Sequence, residues 1–356
     1  MSSNIRLGFI GAGHMGAAHM EQFKKLRDAE LYGLVVNNQR AADLGKRHGI
    51  PHLYSSGEEM LNDERIDAVV ISTPNKWHAP LAIQALRAGK HVLLEKPMAM
   101  NGAEARQILQ AGQEAGKVLM IGFHRRWEPE YLKAKEMVEQ GRLGNVYFVK
   151  TGYLRKKGIP GWGSWFTRKA DAGGGALIDI GVHMLDLSLW LLGNPKPLAV
   201  FAKTYGELGK LKKGLGTWGT PNWNGYFDVD DLAVAMIRLE GGITLLLEVS
   251  WAANIKTDSV PYVQLVGDKG GLSVHGSAME FIGESDDAAG EDVHTVEVGR
   301  GDARLALCRH FLECIREKKE PLTSGKAGLL SNLLVDAIYE SAVTEKEVTL
   351  KEIDFF

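Results

Sequence analysis

Ile5-Arg6-Leu7-Gly8-Phe9-Ile10-Gly11-Ala12-Gly13-His14-Met15-Gly16 is a short apolar run that ends in a Gly-x-Gly-x-x-Gly string. A run of this length and composition reads as a strand buried on both faces. Helical spacing follows from about Met15 to Leu26, so the glycines fall at a strand-to-helix turn. Alone the string is weak evidence, and a glycine turn without a ligand is its plainer reading. In the strand–turn–helix setting it is a dinucleotide-binding fingerprint. The glycines permit a tight turn and close approach of backbone to a pyrophosphate. The helix N-terminus supplies N–H donors and a favourable dipole. Gly11, Gly13, His14, Met15 and Gly16 are therefore candidate cofactor contacts.

The same alternation continues outward. Strand patterns at Leu31–Val36, Asp67–Ser72, His91–Leu94 and Val118–Ile121 alternate with helical patterns at Arg40–His48, Lys76–Ala88 and Ala103–Ala115. Apolar strands separated by helices predict a parallel sheet covered on both faces. Beyond residue 123 the pattern changes. Glu130–Gln140 reads as a helix, Asn145–Tyr153 alternates, and strand-like segments recur at 197–205, 229–239, 243–251, 260–267, 271–275 and 278–283. Glu240-Gly241-Gly242 reads as a hairpin turn, and Arg304–Lys318 and Leu329–Val343 return to helical spacing. The chain thus divides into an α/β domain over 1–123 and a second α/β domain over 124–356, built on a large, mostly antiparallel sheet with helices on one face. Such a face often serves as an oligomer interface, and a homodimer or homotetramer is expected.

Composition narrows the function classes. With 356 residues, 45% apolar and 24% charged, the chain has the make-up of a globular protein with a sizeable core. A formal net charge of −2 gives no electrostatic argument for nucleic acid or a membrane surface. Cys308 and Cys314 make neither a disulfide framework nor a zinc motif, so no metal is expected. Residues 4–10 already read as a strand, leaving no room for a signal peptide, and no apolar run is read as long enough to span a bilayer. A cytoplasmic setting is expected.

Three further stretches fall where open α/β sheets bind ligands, at the carboxyl ends of strands. Val35-Val36-Asn37-Asn38-Gln39-Arg40 ends the second strand without the carboxylate that usually binds the ribose diol of NAD. Arg40 suits the 2′-phosphate of NADP, and Asn37 or Asn38 suits ribose hydroxyls, so the choice between NAD and NADP stays open. Ser72-Thr73-Pro74-Asn75 ends the strand at 67–72, with His78 in the helix after it, and Asn75 is also a natural helix cap. Glu95-Lys96-Pro97 lies one strand further on. A lysine there is expected to stand beside the positive nicotinamide ring, where it can serve in proton transfer. A surface lysine in a loop is the plain alternative.

Gly174-Gly175-Ala176-Leu177-Ile178-Asp179-Ile180-Gly181-Val182-His183-Met184-Leu185-Asp186 carries the second half of the chemistry. Asp179, His183 and Asp186 stand at i, i+4 and i+7, which on an α-helix places all three on one face of an otherwise apolar segment. A structural ion pair is the competing reading. Oxidising an alcohol needs a base on the O–H and a hydride acceptor facing the C–H, and histidine titrates near neutrality.

In order and spacing, Gly11-x-Gly13-x-x-Gly16, Ser72-Thr73-Pro74-Asn75, Glu95-Lys96-Pro97, Gly122-Phe123-His124-Arg125-Arg126 and the Gly174–Asp186 helix together resemble the Gfo/Idh/MocA oxidoreductase family along nearly the whole chain. The resemblance implies a Rossmann domain followed by an α/β domain with an open antiparallel sheet. It also implies NAD- or NADP-dependent oxidation of a sugar or cyclitol hydroxyl, or the reverse. Carried over, Lys96 and His183 hydrogen-bond the reacting hydroxyl and one takes its proton, with His183 slightly favoured. Asp179 binds a neighbouring hydroxyl and orients His183, and Asp186 stands behind them. Glu95 lies with Lys96 beside the cofactor, Arg125 reaches the cofactor or the lysine loop, and Arg126 faces substrate. His124 replaces a common asparagine.

The loop from Tyr153 to Gly173 precedes this helix and holds Arg155, Trp162, Trp165 and Arg168. Aromatic faces suit the C–H face of a sugar ring, and arginine suits hydroxyls or an anion. Tyr153, Arg155, Trp162, Trp165 and Arg168 are thus substrate candidates, with Trp165 also placed at the cofactor. Aromatics tucked into the core are the alternative. A second loop, Gly206–Tyr226, reads as a lid or a subunit contact, and the acidic stretch Glu284–Asp292 as a solvated hairpin. The leading expectation is a dehydrogenase of a sugar, glycoside or cyclitol, with C3 of a pyranoside the position suggested by glycoside-acting members. The alternatives are a redox-neutral enzyme that oxidises its sugar transiently with a tightly held cofactor, and a non-catalytic sensor of sugar or nucleotide.

Overall fold

The computed structural model describes residues 4–258, 260–285 and 288–350. The chain divides into two compact units: 1–124 with 302–332, and 125–301 with 333–356. The sequence boundary at 123/124 falls beside the first crossover. The segment Asp302–Asn332, read from sequence as part of the second domain, instead belongs to the first unit. Spacing within a helix marks its apolar face but not which neighbour covers it.

In the first unit, β1 (Ile5–Ile10), β2 (Ala29–Val35), β3 (His52–Tyr54), β4 (Ala68–Ile71), β5 (His91–Leu94) and β6 (Leu119–Ile121) form a parallel sheet in the order β3-β2-β1-β4-β5-β6. The helices between them are α1 (His14–Phe23), α2 (Gln39–His48), α3 (Gly57–Leu61), α4 (His78–Arg87) and α5 (Gly102–Ala115). Strand β4 is buried throughout, as the near-continuous apolar run required. The strand order reverses between β1 and β4, so the crevice lies beyond their carboxyl ends. The later segment adds α10 (Ala303–Glu317) and the start of α11 (Gly325–Thr344), and Thr323 Oγ1 donates to Ile121 O at 2.7 Å beside them.

In the second unit, α6 (Pro129–Glu139) precedes β7 (Val146–Leu154), and the short α7 (Lys169–Ala172) leads into a π-helical turn, Leu177–Gly181, and then α8 (Val182–Leu191). Then follow β8 (Pro197–Tyr205), α9 (Glu207–Lys210), β9 (Leu232–Leu239), β10 (Thr244–Ser250), β11 (Tyr262–Gly267), β12 (Gly271–His275), β13 (Ala278–Ser285), β14 (Ala288–Thr295) and, near the end, β15 (Val348–Thr349). The nine strands run β14-β13-β12-β11-β7-β10-β9-β8-β15. Every pair is antiparallel except β7 with β10. Of the acidic stretch Glu284–Asp292, β13 and β14 pair across it, and residues 286–287 lie outside the described residues.

The strands alternate as half-covered strands do: in β9, Ala233, Ala235 and Ile237 are buried while Val234, Met236 and Arg238 are exposed. The buried face packs on the helix carrying His183, every residue of which from Val182 to Leu191 is buried. Contrary to the sequence expectation, Lys169–Leu191 is long and apolar enough to cross a bilayer by composition, but its apolar stretch is almost wholly buried inside the protein. It is apolar all round because it is a core helix.

Candidate active site

In the first unit the glycine turn is closed by contacts that exclude side chains. Gly11 has φ +110°, and a Cβ on it would lie 2.5 Å from Ser72 O. A Cβ on Gly16 would lie 2.1 Å from Gly11 O. Ser72 Oγ donates to Gly11 O at 3.1 Å, joining the ends of β1 and β4. Gly13 is different. It caps α1 without a side-chain hydrogen bond, and among the described residues nothing lies within 4 Å of where its Cβ would be. The first turn of α1 holds no acidic residue, with His14 exposed and Met15 half-buried on it. A helix N-terminus with no side-chain cap and with room beside Gly13 suits a pyrophosphate. Thr73 Oγ1 at the end of β4 is buried and makes no hydrogen bond among the described residues, a polar atom suited to a ligand. The residues present fit a dinucleotide.

Other expected cofactor residues are placed differently. Asn38 Oδ1 caps α2 by accepting Ala41 N–H at 3.0 Å, and its amide donates to Asn37 Oδ1 at 2.8 Å. Asn37 and Arg40 are exposed. Pro74 and Trp77, not Asn75, occupy the cap positions before α4, and Asn75 is buried. His78 is 1% exposed, with Nδ1 2.7 Å from Pro97 O and Nε2 3.0 Å from Thr73 O. It ties together the segments that follow β4 and β5, and burial lowers its pKa against the pull of the two carbonyls.

Lys96 is half-buried, and the Lys96–Pro97 peptide is cis. Glu95, expected beside the cofactor, is turned into the unit and only 6% exposed. Burial raises its carboxyl, but His19, with Lys96 and His124, outweighs burial and holds it down at about 2.

In the second unit, Asp230 builds the start of the helix. Its two oxygens accept Gly175 N–H and Leu177 N–H, each at 2.8 Å, and Tyr339 OH donates to Oδ1 at 2.7 Å. A Cβ on Gly175 would lie 1.8 Å from Asp230 O, so this close approach requires glycine. The π turn over Leu177–Gly181 carries Asp179. Spacing by four and seven presumes an unbroken α-helix, and a π turn adds a residue, so the three side chains do not form one regular face. Instead each has its own setting. Asp179 is half-buried and its Oδ2 accepts Trp251 Nε1–H at 2.9 Å. His183, one residue beyond the start of α8, is 8% exposed. Asp186 is 2% exposed and paired with Arg126 through two bonds, Nε to Oδ2 at 2.9 Å and Nη2 to Oδ1 at 2.6 Å. Burial pushes the Asp186 carboxyl up against the pull of the guanidinium.

Arg126, expected to face substrate, is 3% exposed and holds α8 through Asp186. Arg125 Nη1 binds Glu128 at 3.0 Å. Trp162 is 4% exposed, donates to Gly209 O at 2.8 Å and stacks on Trp223, so it is a core residue of the loops. Trp165 stacks on Phe166, Arg168 pairs with Asp171 at 2.7 Å, and Arg155 lies over the Tyr153 ring at 4.2 Å. Tyr153, Arg155, Trp165 and Arg168 are each half-buried, which leaves part of each side chain open to a ligand. Sequence reading missed His19, Trp251 and Asp230. Each meets its partner only across long stretches of chain, for example 76 residues between His19 and Glu95, where no local pattern forms.

Known proteins match this chain over nearly its whole length. A family model for the oxidoreductase family with an NAD-binding Rossmann fold matches residues 5–123, and one for the GFO/IDH/MocA C-terminal domain matches 131–273. D-glucoside 3-dehydrogenase of Escherichia coli is 32% identical, with 98% of each chain covered. Levoglucosan dehydrogenase of Pseudarthrobacter phenanthrenivorans is 28% identical over 98% of this chain and 99% of its own. A solved levoglucosan dehydrogenase in complex with NADH and levoglucosan superposes with a TM-score of 0.87 at 27% identity, covering 98% of this chain and all of that one.

Proposed function

Because this chain belongs to the GFO/IDH/MocA family of NAD-binding oxidoreductases, we propose that it is an NAD-dependent dehydrogenase of glycosides, oxidising a secondary ring hydroxyl, with C3 of a D-glucoside as the first position to test. The observation that carries this reading is the likeness to D-glucoside 3-dehydrogenase across 98% of both chains. The chain carries Lys96, Asp179 and His183, the residue types this chemistry needs.

NAD, when bound, supplies the acceptor for the hydride that leaves the ring carbon. The chain's own residues do the rest. The uncapped N-terminus of α1 binds the pyrophosphate. Lys96 and His183 hydrogen-bond the reacting hydroxyl, and His183 removes its proton. Asp179, oriented by Trp251, binds an adjacent hydroxyl and fixes which carbon presents its hydrogen. Tyr153, Arg155, Trp165 and Arg168 offer ring faces and donors to the remainder of the sugar.

The exposed face of the second sheet supports assembly of a homo-oligomer. Cross-strand register places Leu246, Met236 and Phe201 in one row and Glu248, Val234 and Lys203 in the next. Phe201 and Met236 are about half exposed, and the face holds a concavity of about 440 Å³. An open apolar face bearing both Lys203 and Glu248 suits a second copy of itself.

The test is reduction of NAD followed by absorbance with methyl α- and β-D-glucosides, levoglucosan and myo-inositol, with Lys96→Met in parallel. Turnover of a glucoside that Lys96→Met abolishes is the expected result. Glucosides left untouched while inositol or levoglucosan is oxidised would replace the substrate class. Equal turnover by Lys96→Met would remove Lys96 from the chemistry.

A further inference from the structure

A buried link joins the helix behind the glycine turn to the residue before Pro97. His19 lies on α1, and its Nε2 is 2.7 Å from Glu95 Oε1, with both side chains less than a tenth exposed. Glu95 Oε2 accepts the backbone N–H of Lys96 at 3.2 Å. Gly122 closes over the carboxylate: a Cβ there would lie 3.1 Å from the carboxyl carbon and Oε1 and 3.3 Å from Oε2. On the other side, His19 Nδ1 lies 3.7 Å from Cys308 Sγ on α10.

Donor and acceptor chemistry fixes this arrangement. An ionised carboxylate only accepts, so His19 Nε2 carries the hydrogen. Burial pushes the Cys308 thiol up, so it stays an S–H and faces Nδ1 as a weak donor. The charged and titratable groups in the field of Glu95 are His19, Lys96 and His124, with His78 and Cys308 also near it. Both carboxylate oxygens are therefore engaged, one by the helix that leads from the dinucleotide turn and one by the peptide of Lys96.

Resting on the catalytic assignment of Lys96 above, we propose that His19 and Glu95 are positioning residues for Lys96. The imidazole holds the carboxylate in one orientation, and the carboxylate holds the Lys96 peptide. One buried link then registers the lysine against the helix on which the cofactor pyrophosphate is seated. Neither side chain touches the reacting atoms in this proposal. Both act through Lys96.

The experiment compares wild type, Glu95→Gln, His19→Leu and His19→Gln with NAD and methyl β-D-glucoside, alongside NADH titration by fluorescence and amide hydrogen exchange of the segment 94–99. Glu95→Gln keeps the size of the side chain and so reports even if His19→Leu does not fold. In Glu95→Gln and His19→Leu, kcat falls about 10²-fold, the cost expected of a misplaced catalytic group. The KM for glucoside and the Kd for NADH move less than about threefold, which marks an interaction made in the transition state. His19→Gln retains an N–H donor and recovers most of the loss. Exchange of the Lys96 amide accelerates in Glu95→Gln and His19→Leu without any substrate. An unchanged kcat in Glu95→Gln, a loss carried by the Kd for NADH, or His19→Gln as impaired as His19→Leu would each overturn the proposal. If wild type oxidises no glucoside, the functional reading fails separately, and the Lys96 amide then decides the link: unchanged exchange in both variants removes it.

Discussion

Trp251, fully buried one residue beyond β10, donates its indole N–H to Asp179 at 2.9 Å from a position 72 residues further along the chain. The carboxylate that the sequence placed on a candidate catalytic helix is thus aimed by the residue with which the chain leaves the sheet. Trp251→Phe keeps an aromatic ring and removes the donor. A hydrogen bond to a charged group is worth roughly 1.5–3 kcal/mol, so kcat/KM for the glucoside should fall about 10- to 100-fold. Steady-state kinetics check this, and an unchanged kcat/KM would show that Asp179 is aimed by other means.

The two glycines of the turn should separate folding from binding. Gly16→Ala forces a Cβ to within 2.1 Å of Gly11 O and should lower the unfolding temperature markedly. Gly13→Ala meets nothing within 4 Å among the described residues, so the unfolding temperature should hold. The new methyl would stand where the pyrophosphate approaches, and the Kd for NADH should rise about tenfold or more. Thermal unfolding and NADH fluorescence titration, read together, decide.

Arg126 and Asp186 form a buried pair at 3% and 2% exposure. Removing one partner leaves the other charged and desolvated, so Arg126→Met or Asp186→Leu alone should cost roughly 3–5 kcal/mol of stability. The double variant Arg126→Met/Asp186→Leu should recover much of that loss, because it leaves no uncompensated charge. Urea unfolding of all three variants tests it, and a double variant as unstable as the sum of the singles would refute the coupling.

His91 accepts Val118 N–H at 3.0 Å through Nδ1, and burial, with Lys117 adding to it, lowers its pKa from 6.5 to about 4. Between those values the unfolded chain binds the proton and the folded chain does not. The stability that His91 contributes is therefore present above pH about 6.5 and is lost as pH falls towards 4. Replacing it by Asn should flatten the dependence of the urea midpoint on pH across that window. An unaltered slope would place the acid sensitivity in other groups.

The open sheet face predicts assembly. Phe201→Glu with Met236→Glu places two like charges side by side in one apolar row of adjacent strands. Sedimentation equilibrium should show the wild type as an oligomer and the double variant shifted to monomer. A wild type that is monomeric at micromolar concentration would remove this face as an interface.

Sequence alone determined what local chemistry can specify. The alternation of short apolar strands with helices set the parallel sheet, and the change to period-two patterning after residue 123 set the second, mostly antiparallel one. The glycine spacing fixed the turn, because a Cβ at Gly11 or Gly16 meets backbone. Lys96, Asp179 and His183 were legible as candidates because each stands in a short motif whose neighbours are close in the chain.

Tertiary structure decided which side chains those groups lean on. His78, Glu95, Arg126 and Trp162 were all legible as polar or aromatic residues near the chemistry, yet each is buried and bonded within its own unit. The return of Asp302–Asn332 to the first unit and the π turn under Asp179 left no periodic trace either. A desolvated polar group must find a partner, and that partner is chosen by packing across the fold, not by spacing along the chain.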